Sequence, residues 1–171
     1  MASYDIAQYL LDRANIHDTV VKVNLEGLRS EVYAASVEND YTSLLGGTST
    51  VVPREDWVNQ VGGILGHFAS TQHVTSGIIT NLPQPTANAT RPEKVTIYAQ
   101  VAGNMVGENA EDGSAQSLMQ NGGFLEAELQ RDMELERQGQ NPWRITKYKV
   151  IKRWAKGEAA LLDHAKDAVS R

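Results

Sequence analysis

The sequence contains no cysteine. That excludes disulfides, thiolate nucleophiles and cysteine-based metal sites, and it fits a reducing compartment. No apolar run approaches the ~20 residues that a membrane-spanning helix needs. The first residues, Met-Ala-Ser-Tyr-Asp, lack the basic-then-apolar order of a secretory signal. A cytoplasmic location with no membrane partner is the expectation. Charge of one sign is not blocked: the net charge is −5, with acidic and basic residues mixed. Phosphate backbones need clustered Lys and Arg, so a nucleic-acid partner is not expected. No Gly-x-Gly-x-x-Gly run is present, and Gly46-Gly47 does not lead into Lys-Ser or Lys-Thr. Dinucleotide and phosphate-loop sites are therefore unsupported. The four histidines share no tight spacing such as His-Glu-x-x-His, so neither a metal nor a cofactor is expected. Asn88-Ala89-Thr90 matches a glycosylation acceptor, which matters only in a secreted chain.

What is present suffices for one domain with a real core over residues 1–171. Its organising stretch is Gly123 to Trp154. Leu125, Ala127, Leu129, Met133 and Leu135 share one parity, and Glu126, Glu128, Asp132 and Glu134 the other. Period two marks a strand with one dry face. A Gln-Gly-Gln-Asn-Pro turn then precedes a second, basic run carrying Arg144, Lys147, Lys149, Lys152 and Arg153. The spacing predicts a long antiparallel hairpin, with acidic and basic runs paired across it.

Upstream, Ser3 can cap a helix starting near Tyr4, with Ile6, Tyr9, Leu10, Ile16, Val20 and Val23 at helical spacing and an Asp18–Lys22 pair supporting it. A second helix is expected over Leu28 to Ala35, and a turn region with one short strand over Asn39 to Thr50. Pro53, Glu55 and Asp56 open a third helix carrying Trp57, Val58, Val61, Ile64, Leu65 and Phe68. Strands follow over Thr71–Leu82 and Lys94–Val106. Residues 107–122 read as a long acidic surface loop with the makings of a lid, and residues 157–171 as a short helical tail. Helices first and antiparallel strands later predict an α+β layer: a curved, mixed or antiparallel sheet wrapped around the N-terminal helices, leaving a cavity at its open end.

Four segments in this order resemble the SnoaL-like, scytalone dehydratase-like branch of the NTF2-like superfamily. They are Asp12-Arg13-Ala14-Asn15-Ile16-His17-Asp18, Glu55-Asp56-Trp57, Thr71-Gln72-His73, and Trp143-Arg144-Ile145 before Trp154-Ala155-Lys156-Gly157. The resemblance implies a cone-shaped α+β barrel, often a homodimer, with one buried pocket per subunit. It does not imply one reaction. It also implies that the histidine of the Thr-x-His motif, His73, lines the pocket as base or acid; the alternative is a hydrogen-bonded core histidine. The relatives place an aspartate near the end of the first helix, and by register that position is Leu28. Glu26 lies nearby. A tyrosine of the pattern is replaced by Val23, and a second histidine has only Asn104 in its region. The acid–base partner of His73 is then Glu26, Glu126 or Glu128, or the pocket acts by shape.

Tyr41, Tyr98 and Asn104 are candidates to orient a substrate and steady an enolate; tyrosines so placed also serve as amphipathic core residues. Trp57 and Phe68 read as pocket or core. His17 and His67 read as surface or packing residues, and Trp57, Trp143 and Trp154 as core or dimer-interface anchors rather than a ligand cage. The expected function is a cofactor-independent lyase or isomerase of secondary metabolism. It would be a dehydratase or cyclase moving protons on a polyketide- or terpenoid-like, hydrophobic or aromatic metabolite. The rival is a non-catalytic NTF2-like ligand binder or dimeric scaffold.

Overall fold

The computed structural model describes residues 4–22, 24–86, 88–107 and 117–163. Helix α1 spans Ile6–Val21, opened by the Asp5 carboxylate accepting from the Gln8 N–H at 2.8 Å. Asp5 is thus the cap, and the helix starts two residues later than Tyr4; Ser3 and Val23 lie outside the described residues. The helix buries Asp12, Ile16, Thr19 and Val20, a stripe at i, i+4, i+7 and i+8. Ile6 and Leu10, expected on that stripe, face solvent at 59% and 56% exposure. The inward face is set by Asp12, which Arg91 and Trp143 hold in the interior. The expected Asp18–Lys22 pair does not form either: Asp18 sits by His17, and Lys22 reaches Glu31.

A short α2, Leu25–Gly27, runs into a π-helical turn, Leu28–Val32, and the chain then extends as β1, Tyr33–Asp40. The expected helix over Leu28–Ala35 is therefore only its first half. Tyr33, Val37 and Asn39 are all buried on one face of a strand that pairs in parallel with the last strand, and this tertiary pairing overrides local helical preference. Helix α3, Thr42–Leu45, then β2, Thr50–Pro53, follow; Pro53 leads into α4, Arg54–Leu65.

Strands β3, Ser70–Thr80, and β4, Lys94–Val106, sit close to their expected bounds. Strand β5 spans Leu118–Arg131, then α5, Met133–Arg137, then β6, Trp143–Gly157. The long hairpin is there, but its alternation stops at Leu129. The Asp132 carboxylate accepts from the Glu134 and Leu135 N–H groups and starts a helical turn, which lifts Met133 to 60% exposure. The loop expected over 107–122 is shorter, since β5 already begins at Leu118; a lid over 108–116 lies outside the described residues. Of the tail, Ala159–Leu162 forms a 3-10 turn, and residues 164–171 lie outside the described residues.

One mixed six-stranded sheet results, in the order β2-β1-β6-β5-β4-β3. Only β1 and β6 run parallel. Its inner face carries Val37, Val95, Ile97, Leu125, Ala127, Leu129 and Ile145 against Ile16, Val20 and Val58 of the helices. The acidic and basic runs meet on the other face. Glu126 lies opposite Lys149 and Glu128 opposite Lys147, while Lys147 also bonds Glu38 at 2.8 Å. A register slip between Gly122 and Gly123 bends this hairpin. A Cβ at Gly123 would meet the Ile151 carbonyl oxygen at 2.0 Å, and Trp154 lays its indole directly over Gly122. That is the work of Trp154, half exposed, whereas Trp57 and Trp143 are buried in the core.

Candidate active site

Between α4 and the β3–β4 end of the sheet lies a cavity of about 460 Å³. Alternation builds most of its sheet wall, with Val74 and Ala102 reaching it from the other parity. Thr71, His73 and Thr75 of β3 share a face with Val101, Gly103 and Met105 of β4, and Asn121 of β5 continues it. Trp57, Val61, Ile64 and Leu65 of α4 form the opposite wall, with Phe68 just beyond the helix. Tyr33, Tyr41 and Tyr148 close the deep side, with Tyr41 stacked on Tyr148 at 6.0 Å between ring centroids and tilted against Trp57 at 5.5 Å.

Among the described residues no carboxylate lines this cavity, and Lys22, tied to Glu31, is its only Lys or Arg. The interior is therefore apolar with a few neutral polar groups, the usual make-up of a small-molecule site. The His73 imidazole makes no hydrogen bond among the described residues. It touches water within the open cavity, yet surrounding protein desolvates it and lowers its pKa from the ordinary 6.5. At neutral pH it is an uncharged base. The three phenols move the other way: burial raises the pKa of each, and the mutual proximity of Tyr33, Tyr41 and Tyr148 adds to the rise for Tyr41 and Tyr148. They stay protonated donors. The hydroxyls of Tyr41 and Tyr148 have no partner among the described residues. The Trp57 N–H lies toward the Tyr33 hydroxyl and eases its ionisation slightly, but without hydrogen-bond geometry.

His73 thus carries a pH signature. Its folded-state pKa lies below its unfolded value, so the unfolded chain binds the extra proton first on acidification. The stability tied to the neutral ring is complete above pH 6.5 and is lost as pH falls through the window between 6.5 and the lowered folded value. Melting temperatures measured across this range should fall more steeply for the wild type than for His73→Gln; parallel curves would contradict the desolvation of the ring by the surrounding protein.

His73, Tyr41, Trp57 and Phe68 all line the cavity. The other sequence candidates do not. Tyr98 and Asn104 have the parity opposite to Ile97, Ala99 and Met105, so they sit on the outer face. Tyr98 is 43% exposed, and Asn104 bridges Gln72 and Gln120. Glu126 and Glu128 share that outer face with their lysine partners. Glu26 is on α2, 79% exposed and 3.7 Å from Arg29. None of these carboxylates can partner His73.

Sequence reasoning missed Tyr33, Tyr148 and Asn121. Tyr33 fell within a helix assignment. Asn121 was assigned to the loop, although counting back in twos from Leu125 reaches it. Tyr148 was hidden by a register slip in which Glu128–Leu129 of β5 faces Lys147 and Ile145 of β6. The slip turns Tyr148 and Val150 inward after Ile145, and the lysines at 147 and 149 were the available signal.

Two other sequence motifs meet away from the cavity. Asp12, fully buried, accepts from Arg91 through both oxygens at 2.6 and 2.9 Å and from the Trp143 indole N–H at 3.0 Å. Arg91 also bonds Glu136, which Arg131 holds at 2.8 Å. Thr19 and Asn141 add bonds between α1 and the start of β6. This network fastens the first helix to the sheet. Among the described residues no His, Asp and Glu side chains group as a metal site, and no helix is long and apolar enough to cross a membrane.

Residues 8–149 match the SnoaL-like domain family, so the chain belongs to that family. Solved structures share its fold. The Kfla4162 protein of Kribbella flavida is 20% identical, with 92% of this chain and 95% of that one covered and a TM-score of 0.65. A protein provisionally named an aromatic ring hydroxylase, from Novosphingobium aromaticivorans, is 17% identical over 92% and 98% of the two chains, with a TM-score of 0.64. A hexachlorocyclohexane dehydrochlorinase from Novosphingobium barchaimii is 15% identical over 91% and 95%, with a TM-score of 0.56. No curated protein sequence matches the chain. The architecture is thus the NTF2-like α+β cone, a fold whose solved members carry dehydratase, dehydrochlorinase and hydroxylase names.

Proposed function

We propose that this protein is a cofactor-independent lyase or isomerase acting on a neutral, largely apolar ketone of the fused-ring, polyketide or terpenoid kind. The observation that carries the reading is an uncharged imidazole, without a hydrogen-bond partner among the described residues, lining an apolar cavity that Tyr33, Tyr41 and Tyr148 also line. In this arrangement His73 accepts the proton from a carbon next to the substrate carbonyl. The C–H electron pair becomes the C=C bond of an enolate, the C=O π pair moves onto the oxygen, and a phenol donates a hydrogen bond to that oxyanion. Return of the proton to a different carbon completes an isomerisation. Departure of a β-hydroxyl, protonated by the imidazolium, completes a dehydration with loss of water. The largely apolar lining strengthens each polar contact.

The test needs no knowledge of the natural substrate. α-Tetralone, a fused-ring ketone with acidic C–H bonds, is incubated in deuterium oxide with the protein, and deuterium uptake is followed by mass spectrometry. Saturable exchange, absent with His73→Ala, is expected. A second reading, a ligand carrier without catalysis, is favoured by the lack of a carboxylate beside His73; saturable binding with exchange no faster than buffer would establish it instead.

A further inference from the structure

In the backbone register His73 of β3 lies opposite Gly103 of β4, and Gly103 lies opposite Asn121 of β5. Three adjacent strands therefore carry these residues in one row, on the cavity face. The middle residue has no side chain. The point where its Cβ would stand is 3.5 Å from His73 Nε2 and 3.3 Å from Asn121 Oδ1. The two polar atoms approach the same small space from flanking strands, and a methyl group at 103 would be in contact with both.

We infer that Asn121 is the positioning residue for His73, taking the place of a carboxylate. Its carboxamide oxygen accepts from Nε2–H through one bridging water. That holds the ring in the Nε2–H tautomer and leaves the Nδ1 lone pair as the base. A neutral acceptor fixes the tautomer without adding the charge that would favour the imidazolium. The arrangement explains how a cavity without a carboxylate keeps an oriented but uncharged histidine. Gly103 is the gap that admits the contact.

This rests on the reading of His73 as the cavity's base, but its test requires no ligand and no turnover. The protein is labelled with ¹⁵N-histidine and the imidazole nitrogens are observed by long-range ¹H–¹⁵N correlation. His73 is assigned by the signal lost in His73→Gln. In the wild type the Nε2–H tautomer should dominate. Asn121→Leu, and independently Gly103→Ala, should shift His73 to a mixture of both neutral forms, with the backbone spectrum otherwise retained. Asn121→Asp, close to isosteric, should raise the His73 pKa by about a unit or more, as an adjacent carboxylate does. A wild-type ring in the Nδ1–H form, or the same tautomer in wild type and Asn121→Leu, overturns the inference. Should Asn121→Leu and Gly103→Ala not fold, an unmoved His73 pKa in Asn121→Asp overturns it equally. Failure of deuterium exchange with the tautomer signature intact removes the chemistry and leaves the positioning; the reverse pattern does the opposite.

Discussion

Asp12→Ala should lower the unfolding free energy by about 3–5 kcal/mol, the usual cost of deleting one partner of a buried ion pair. The size follows from what is left behind. Arg91, whose side chain is 15% exposed, loses both bonds to the carboxylate and keeps only Glu136. The Trp143 indole N–H, in a fully buried residue, loses its acceptor. A buried donor stranded in this way costs about 1–3 kcal/mol by itself. Asp12→Asn should cost less, because a carboxamide oxygen still accepts from one donor. Urea unfolding monitored by tryptophan fluorescence reads both. A loss under about 1 kcal/mol for the alanine variant would mean that α1 is fastened to the sheet by its apolar stripe alone, at odds with the interior placement of Asp12.

His73→Ala should reduce catalysed deuterium exchange by about 10²–10⁴-fold, the range that a positioned general base contributes. The affinity for α-tetralone should change far less. The cavity's other apolar lining, Trp57, Val61, Ile64, Leu65 and Phe68 among it, is left in place by the substitution. The split distinguishes a base from a wall residue: loss of binding in step with loss of exchange would show that the ring merely shapes the cavity. Calorimetric titration alongside the exchange assay separates the two.

The strands that frame the cavity were the most legible part of the chain. Lys94–Val106 declares itself by unbroken alternation, and its paired neighbours follow from the same period. The signals that failed were those that tertiary structure overrides. Tyr33–Ala35 reads locally as the end of a helix, yet it opens the strand Tyr33–Asp40 because β6 offers it a parallel edge. Met133 and Leu135 continue the alternation on paper, yet the Asp132 cap winds them into a helical turn. Within the site, His73 was reached through its motif, but its companions were sought among carboxylates. Parity excludes Glu126 and Glu128, since they alternate with the buried Leu125, Ala127 and Leu129. Asn104 and Tyr98 fall to the same count against Ile97, Ala99 and Met105. The residues that share the cavity with the imidazole, Asn121 across Gly103 and the three tyrosines, depend on register and on slips in it, which no single strand reveals. Asp12 and Trp143 belonged to the segments that carried the family resemblance, and the structure shows them meeting in an anchor for the fold rather than in the cavity.

The most direct measurement is a crystal structure of the protein with α-tetralone bound. The ketone is expected inside the cavity, its carbonyl toward Tyr33, Tyr41 or Tyr148 and the adjacent carbon within reach of His73. A ketone seated anywhere else, or one lying in the cavity with the imidazole turned away from it, would contradict the account.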